Sequence, residues 1–308
     1  MRTFTHLMPG EIQGCIGCHS ERNQATPSIP LNAKRPSAML REAQELEKPE
    51  WGVKGFSYSR IVQPVWNKNC LECHGAEDPA AGLELTADKT DFFNVSYENL
   101  VRRGTSSERS DQGWVTGAFR YSKYTSWIPT YNGQEENILE IDPGRWGAKA
   151  SLLAEIIREG HPDKDGKRMV NLSSDEQRRV FAWLDLNCPY YGTSDSNHQD
   201  RRGCRQMVPD GLDATIKDVA SRRCVSCHQN MTSTQTLPNS FYLRIDNPAH
   251  NLFLRAPLAK SAGGTEACGS AVFADTNDPD YQKLLDLFEP LRDTLSKHPR
   301  MDMQEATE

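Results

Sequence analysis

Cys70-Leu71-Glu72-Cys73-His74 is the stretch that decides how this chain is read. The same pattern stands twice more, at Cys15-Ile16-Gly17-Cys18-His19 and at Cys224-Val225-Ser226-Cys227-His228. Two thiols one helical turn apart can take the two vinyl groups of a single porphyrin as thioethers. The imidazole that follows at once then lies under the ring and offers a nitrogen to its iron. Three other readings compete: a tetrahedral zinc site made from two Cys-x-x-Cys pairs, a thioredoxin-like couple made from one, and disulfides. None of them needs the His. Only 8 of the 308 residues are His, so a His after a given pair arises by chance about once in forty, and three in a row speak against accident. Three pairs also do not divide into four-cysteine sites. The motifs therefore predict three covalently attached c-type haems, anchored by Cys15, Cys18, Cys70, Cys73, Cys224 and Cys227. His19, His74 and His228 are the expected proximal ligands. Attachment of this kind takes place on the oxidising side of a membrane, so a periplasmic or extracellular location is expected.

Composition narrows the rest. Thirty-six basic residues face 42 acidic ones, a net charge of −6, which argues against a nucleic-acid binder relying on general basicity. No run approaches the ~18 consecutive apolar residues of a membrane span. Six Trp, nine Tyr and ten Phe in patterned segments argue against full disorder. Apolar residues reach only 37%, little core for this length, which fits small units built around a large apolar cofactor. Of the remaining cysteines, Cys188 and Cys204 flank a polar loop and could be bridged in an oxidising compartment. Cys268 is left over. The stretch from Met1 to Glu11 has no apolar signal segment. Either the export signal has been removed, or the chain is expected to be the C-terminal piece of a longer exported protein.

Two of the motifs share their surroundings. Aligned on the cysteines, Val62, Val65 and Trp66 match Ile216, Val219 and Ala220, an i, i+3, i+4 face before each motif. Pro64 suits the first turn of its helix. After each motif comes a second helix, begun at Asp142-Pro143 and ending at Gly160, or begun at Asn247-Pro248 and followed by Gly263-Gly264. A closing helix follows in both. Ser173 or Ser174 can cap Asp175–Leu186 through a capping box, and Asp278-Pro279 begins the other, with Tyr281, Leu284, Leu285 and Phe288 inward. Helix, haem motif, helix, closing helix is the order of a cytochrome-c-like domain. The expected fold is mainly α, with two cytochrome-c-like helical haem modules and long loops behind an extended haem-bearing N-terminal segment. The boundaries are 1–55 for that segment, 56–192 for the first module with an insertion, 193–212 for a linker, 213–296 for the second module and 297–308 for a frayed polar tail. The insertion, with Tyr121, Tyr124, Trp127 and Tyr131, is read as a loop or small hairpin over the haem.

Distal ligands come from the remaining His and Met residues. His161, after the helix end at Glu159-Gly160, is the candidate opposite His74, and a bis-His pair gives a low-potential haem. His250 is the candidate for the third haem, with an open sixth position as the alternative. Only His6 and Met8 lie near the first motif. His198 and His298 read as solvated.

Further stretches carry a family likeness. Met1 to His19, Cys70-Leu-Glu-Cys-His-Gly75 with Ala81-Gly-Leu-Glu-Leu-Thr86, Glu159-Gly-His161, Trp183-Leu-Asp-Leu-Asn187 with Pro189-Tyr-Tyr-Gly192, and Ala256 to Gly264 resemble the C-terminal half of proteins related to the hydrazine synthase alpha subunit. The resemblance implies an N-terminal propeller-like domain before the first haem motif, partly enclosing that haem, and a bis-His second haem. In hydrazine synthase itself the first motif His binds zinc and a Tyr four residues later binds iron. Asn23 stands at that later position here, so the resemblance does not carry hydrazine-forming chemistry, and His19 keeps an ordinary proximal role. The function expected is a multihaem electron carrier serving a redox partner protein. The alternatives are a haem enzyme with an open sixth site acting on nitrogen compounds or peroxide, and a haem-stabilised structural module.

Overall fold

The computed structural model describes residues 42, 48–52, 54–101, 103–110, 113–120, 122–130, 144–162, 165–225 and 242–304. Helices predominate among them. The first motif therefore lies outside the described residues, as do Cys227, His228, His6, Met8, Asn23, Asp142 and Pro143.

In the first part of the chain, α1 (Tyr58–Ile61) and α2 (Gln63–Asn69) lead straight into α3 (Leu71–His74). Pro64 occupies the first turn of α2, where its missing N–H costs nothing. The Cys70 N–H closes that helix on the Trp66 carbonyl at 2.8 Å, so the haem motif starts as the continuation of a helix. Next comes α4 (Val95–Leu100), capped by the Asn94 side chain, which accepts from the Tyr97 N–H. Strands β1 (Arg103–Ser110) and β2 (Gly113–Arg120) pair as an antiparallel hairpin, from Arg103 opposite Arg120 to Ser110 opposite Gly113. Of the loop or small hairpin expected of the insertion, residues 103–110 and 113–120 form a hairpin, while Tyr121 and Tyr131 lie outside the described residues. The helix expected to begin at Asp142-Pro143 starts only at α5 (Leu152–Glu159), because Gly144 and Gly147 turn the chain at positive φ before it and the Ser151 side chain caps it; β3 (His161–Pro162) then pairs with β4 (Arg168–Val170). On α6 (Ser174–Asp185) the expected capping box is complete: the Glu176 N–H donates to Ser173 Oγ at 3.3 Å, and the Ser173 N–H donates to Glu176 Oε2 at 2.9 Å.

These elements close over an aromatic core. Tyr58 is fully buried, and its ring centre lies 4.9 Å from Trp183, 5.2 Å from Tyr97 and 5.7 Å from Tyr190. Its hydroxyl accepts the Trp66 indole N–H at 2.9 Å and bonds Ser96 Oγ at 2.8 Å, so a polar atom at the centre of the core is paired.

The second part is built from α7 (Leu212–Arg223), α8 (Leu252–Arg255), α9 (Pro279–Asp286), α10 (Phe288–Lys297) and α11 (Met301–Gln304). Ile216 and Val219 face inward, as their spacing predicts, against Phe253, Leu254, Leu284 and Phe288. Asp278 caps α9, accepting from the Asp280 N–H at 2.9 Å. The helix expected from Asn247-Pro248 is instead broken. A single 3₁₀ turn, Pro248–His250, is separated from α8 by an extended Asn251. The Asn251 side chain accepts from the Arg244 N–H at 2.9 Å and donates to the Pro248 carbonyl at 2.8 Å; these local bonds replace helical ones.

The two parts are stitched together by polar contacts. The Asp91 N–H donates to the Leu243 carbonyl and the Ile245 N–H to the Lys89 carbonyl, both at 2.9 Å. The expectation of a frayed tail is corrected for residues 297–304. Arg300 and Asp302 are 2% and 1% exposed. The Arg300 guanidinium donates to the Thr90 and Phe93 carbonyls and to Asp302, while the Asp302 carboxylate accepts from the Tyr190 hydroxyl at 2.9 Å and pairs with Lys89. A buried guanidinium is tolerable here because the contacts hold it from several sides.

Candidate haem site

His74 ends α3, one turn beyond Cys70. Its Nδ1 lies 2.8 Å from the Leu83 carbonyl. A carbonyl can only accept, so Nδ1 carries the proton and Nε2 keeps its lone pair. The chain returns to the motif again when the Leu85 N–H donates to the His74 carbonyl at 2.9 Å. Gln63 on α2 donates to the Leu85 carbonyl at 3.0 Å, and Asn99 on α4 donates to the Glu84 carbonyl at 2.9 Å. The segment that orients the imidazole is thus held by three elements.

The His161 ring centre lies 6.0 Å from that of His74, with the planes 45° apart. Gly160 makes this possible: at φ 83° it lets the chain leave α5 abruptly and enter β3. Metal–imidazole bonds of about 2 Å on each side, plus about 1.1 Å from each nitrogen to its ring centre, sum to about 6 Å. The spacing of the ring centres is the one that two imidazoles on either side of an iron would need. Burial, the larger influence, and the neighbouring His161 lower the His74 pKa against the opposing Leu83 bond, and so favour the neutral ring that can ligate. Cys70 and Cys73 are both thiols, the first half-buried and the second exposed. Burial pushes the Cys70 thiol up to about 12, with Cys73 and Glu176 adding to the effect. A thiol held protonated lacks the lowered pKa of a reactive Cys-x-x-Cys couple. Among the described residues no group of three or more His, Cys, Asp or Glu is arranged to hold a metal ion.

At the third motif, Cys224 caps the end of α7 with its N–H on the Ala220 carbonyl at 2.9 Å, repeating the junction between Trp66 and Cys70. His250 Nε2 lies 3.3 Å from Glu77 Oε1, beside the second motif; His228, which it is expected to face, lies outside the described residues. His250 Nδ1 is buried and has no hydrogen-bond partner among the described residues.

Other candidates are placed differently from the expectation. His198 is buried, with Nε2 2.9 Å from the His298 carbonyl, because residues 193–205 pack against the segment around Arg300. Cys188 is buried, Cys204 is exposed, and both are thiols, so no disulfide joins them; Cys268 is a half-buried thiol. The sequence reading did not find Leu83, Glu84 and Arg244. A carbonyl partner leaves no residue-type signal, and Glu84 and Arg244 stand 160 positions apart.

Neither family profiles nor curated proteins nor solved structures yield a match to this chain. No described helix is long and apolar enough to cross a membrane.

Proposed function

We propose that the chain is a multihaem c-type cytochrome that carries electrons on the periplasmic or extracellular side of a membrane. On this reading it is built as two cytochrome-c-like modules behind a haem-bearing segment, and forms the C-terminal part of a hydrazine synthase alpha-like protein. The observation that carries the proposal is the pair of facing imidazoles, His74 and His161, beside Cys70 and Cys73. Haem supplies a one-electron couple, at low potential when two His ligate it. Cys70 and Cys73 tether the ring. The Leu83 carbonyl holds the Nδ1 proton of His74 and aims Nε2 at the metal. His161 closes the opposite side, which suits electron transfer and keeps substrates from the iron. At the third motif His250 would be the second ligand, and a haem enzyme with an open sixth position is the alternative reading. A propeller-like domain of the same protein and a basic redox partner complete the proposal; the charge of −6 supports the latter.

Expression with a cytochrome c maturation system tests it. The intact mass is expected to rise by three haem increments. His161→Ala should convert one low-spin haem to a high-spin, carbon-monoxide-binding one, and the other haems should be unchanged. A chain that matures without haem overturns the proposal. Unmodified chain spectra in His161→Ala overturn the pairing.

A further inference from the structure

The ten-residue reach from His74 to Leu83 and Glu84 is gripped at both ends by one segment of the second part of the chain. At the near end, His250 Nε2 lies 3.3 Å and Arg255 Nη2 3.6 Å from the Glu77 carboxylate, which is itself largely exposed. At the far end Arg244 makes a two-pronged contact with Glu84, one arm at 2.9 Å. Here both partners are buried, with side chains only 11% and 7% exposed. Thr86 Oγ1 donates to the same carboxylate at 2.7 Å, and Asp88 lies 4.0 Å from Arg244. Arg244 is fixed in turn by Asn251, whose side chain bonds its backbone N–H and carbonyl. Glu84 follows directly on Leu83, whose carbonyl holds the His74 ring. The buried ion pair is therefore one peptide unit from the atom that orients the proximal imidazole.

We propose that Arg244 is a positioning and charge-compensating residue, pairing with Glu84 to set the reduction potential of the haem at Cys70 and Cys73. The second part of the chain thereby tunes the cofactor of the first. This rests on the haem reading above. The physics is direct. A buried charge without its partner is poorly screened and is felt at the neighbouring iron. A bare Glu84 carboxylate stabilises the oxidised, more positive centre, and a bare Arg244 guanidinium stabilises the reduced one. The Glu77 cluster, open to water, should matter less.

Potentiometric titration of the haem-loaded chain decides the matter. Arg244→Met should lower the potential of one titrating step, and Glu84→Gln should raise the same step. The double variant should return it close to the unaltered value, and Arg244→Lys should move it less than Arg244→Met. Glu77→Gln should shift it least. If Arg244→Met does not fold, Glu84→Gln and Arg244→Lys carry the same comparison. A step left in place by every variant overturns the proposal, as does one that Arg244→Met and Glu84→Gln move in the same direction, the sign of simple loosening. Intact mass separates the two levels: a chain with no haem on Cys70 and Cys73 refutes the haem reading itself, whereas a haem with an unmoved potential refutes only the role of Arg244.

Discussion

The surroundings of Cys70 and of Cys224 start alike and finish differently. In both, a short amphipathic helix ends on the first cysteine through an N–H to the carbonyl four residues back. Beyond that point the first core holds a network of aromatic rings interlocked around Tyr58 and Trp183, while the second sets aliphatic side chains around two separate aromatic pairs, Phe253 with Phe288 and Phe273 with Tyr281. The first brings a second His to its motif. The described part of the second does not, and its His250 serves the neighbour instead. The difference teaches that the motif specifies its own helix junction but not what the later chain brings near it, a Gly160 turn in one case and a broken helix around Asn251 in the other.

The aromatic core should be the more costly to open. Trp183→Ala is expected to destabilise the protein by about 3–5 kcal/mol, as large aromatic truncations do, and Leu284→Ala in the second core by less, toward the lower end of the range of about 2–5 kcal/mol for a buried leucine. Chemical denaturation of the two variants checks this. Equal losses, or a larger one from Leu284, would break the contrast between the cores.

A smaller effect is expected at Glu176. This carboxylate caps α6 and accepts from Lys68 and Asn69 on α2, joining the closing helix to the helix that carries Cys70. The Lys68 bond, aided by the cap, lowers its pKa from 4.5 to about 2. A depressed folded-state pKa stabilises the fold above about pH 4.5, and the contribution fades as pH falls toward 2. Glu176→Ala should cost about 1 kcal/mol at neutral pH, the usual size of a lost cap, and should flatten the acid limb of the stability profile between those values. An unchanged acid limb would remove the link between α2 and α6.

The smallest effect belongs to the surface of the second part, where Arg222 spans Asp218 and Asp280. Arg222→Ala should lower stability only slightly, and less still in high salt, because exposed pairs are screened. A loss that persists in concentrated salt would show the contact to be packing.

The sequence made the helices around the motifs legible because their signals are local. Pro64, Ser173 and Asp278 act within a turn, and Ile216 and Val219 repeat at helical spacing. His161 was legible for the same reason, since Gly160 marks the end of the helix before it. The broken helix at Asn251 was not, because its side chain spends its bonds on Arg244, seven residues back. Arg300, Asp302 and His198 were misread as solvated because polar residues usually are. Their burial depends on carbonyls and carboxylates that only the tertiary structure brings near, such as Thr90, 210 positions from Arg300.

That last separation also orders events in time. At about 5–20 residues per second, Arg300 leaves the ribosome about 10–40 s after Thr90. Thr90 thus spends that interval without the guanidinium that later holds its carbonyl. The stitch between the two parts of the chain is therefore among the last contacts that a growing chain can make.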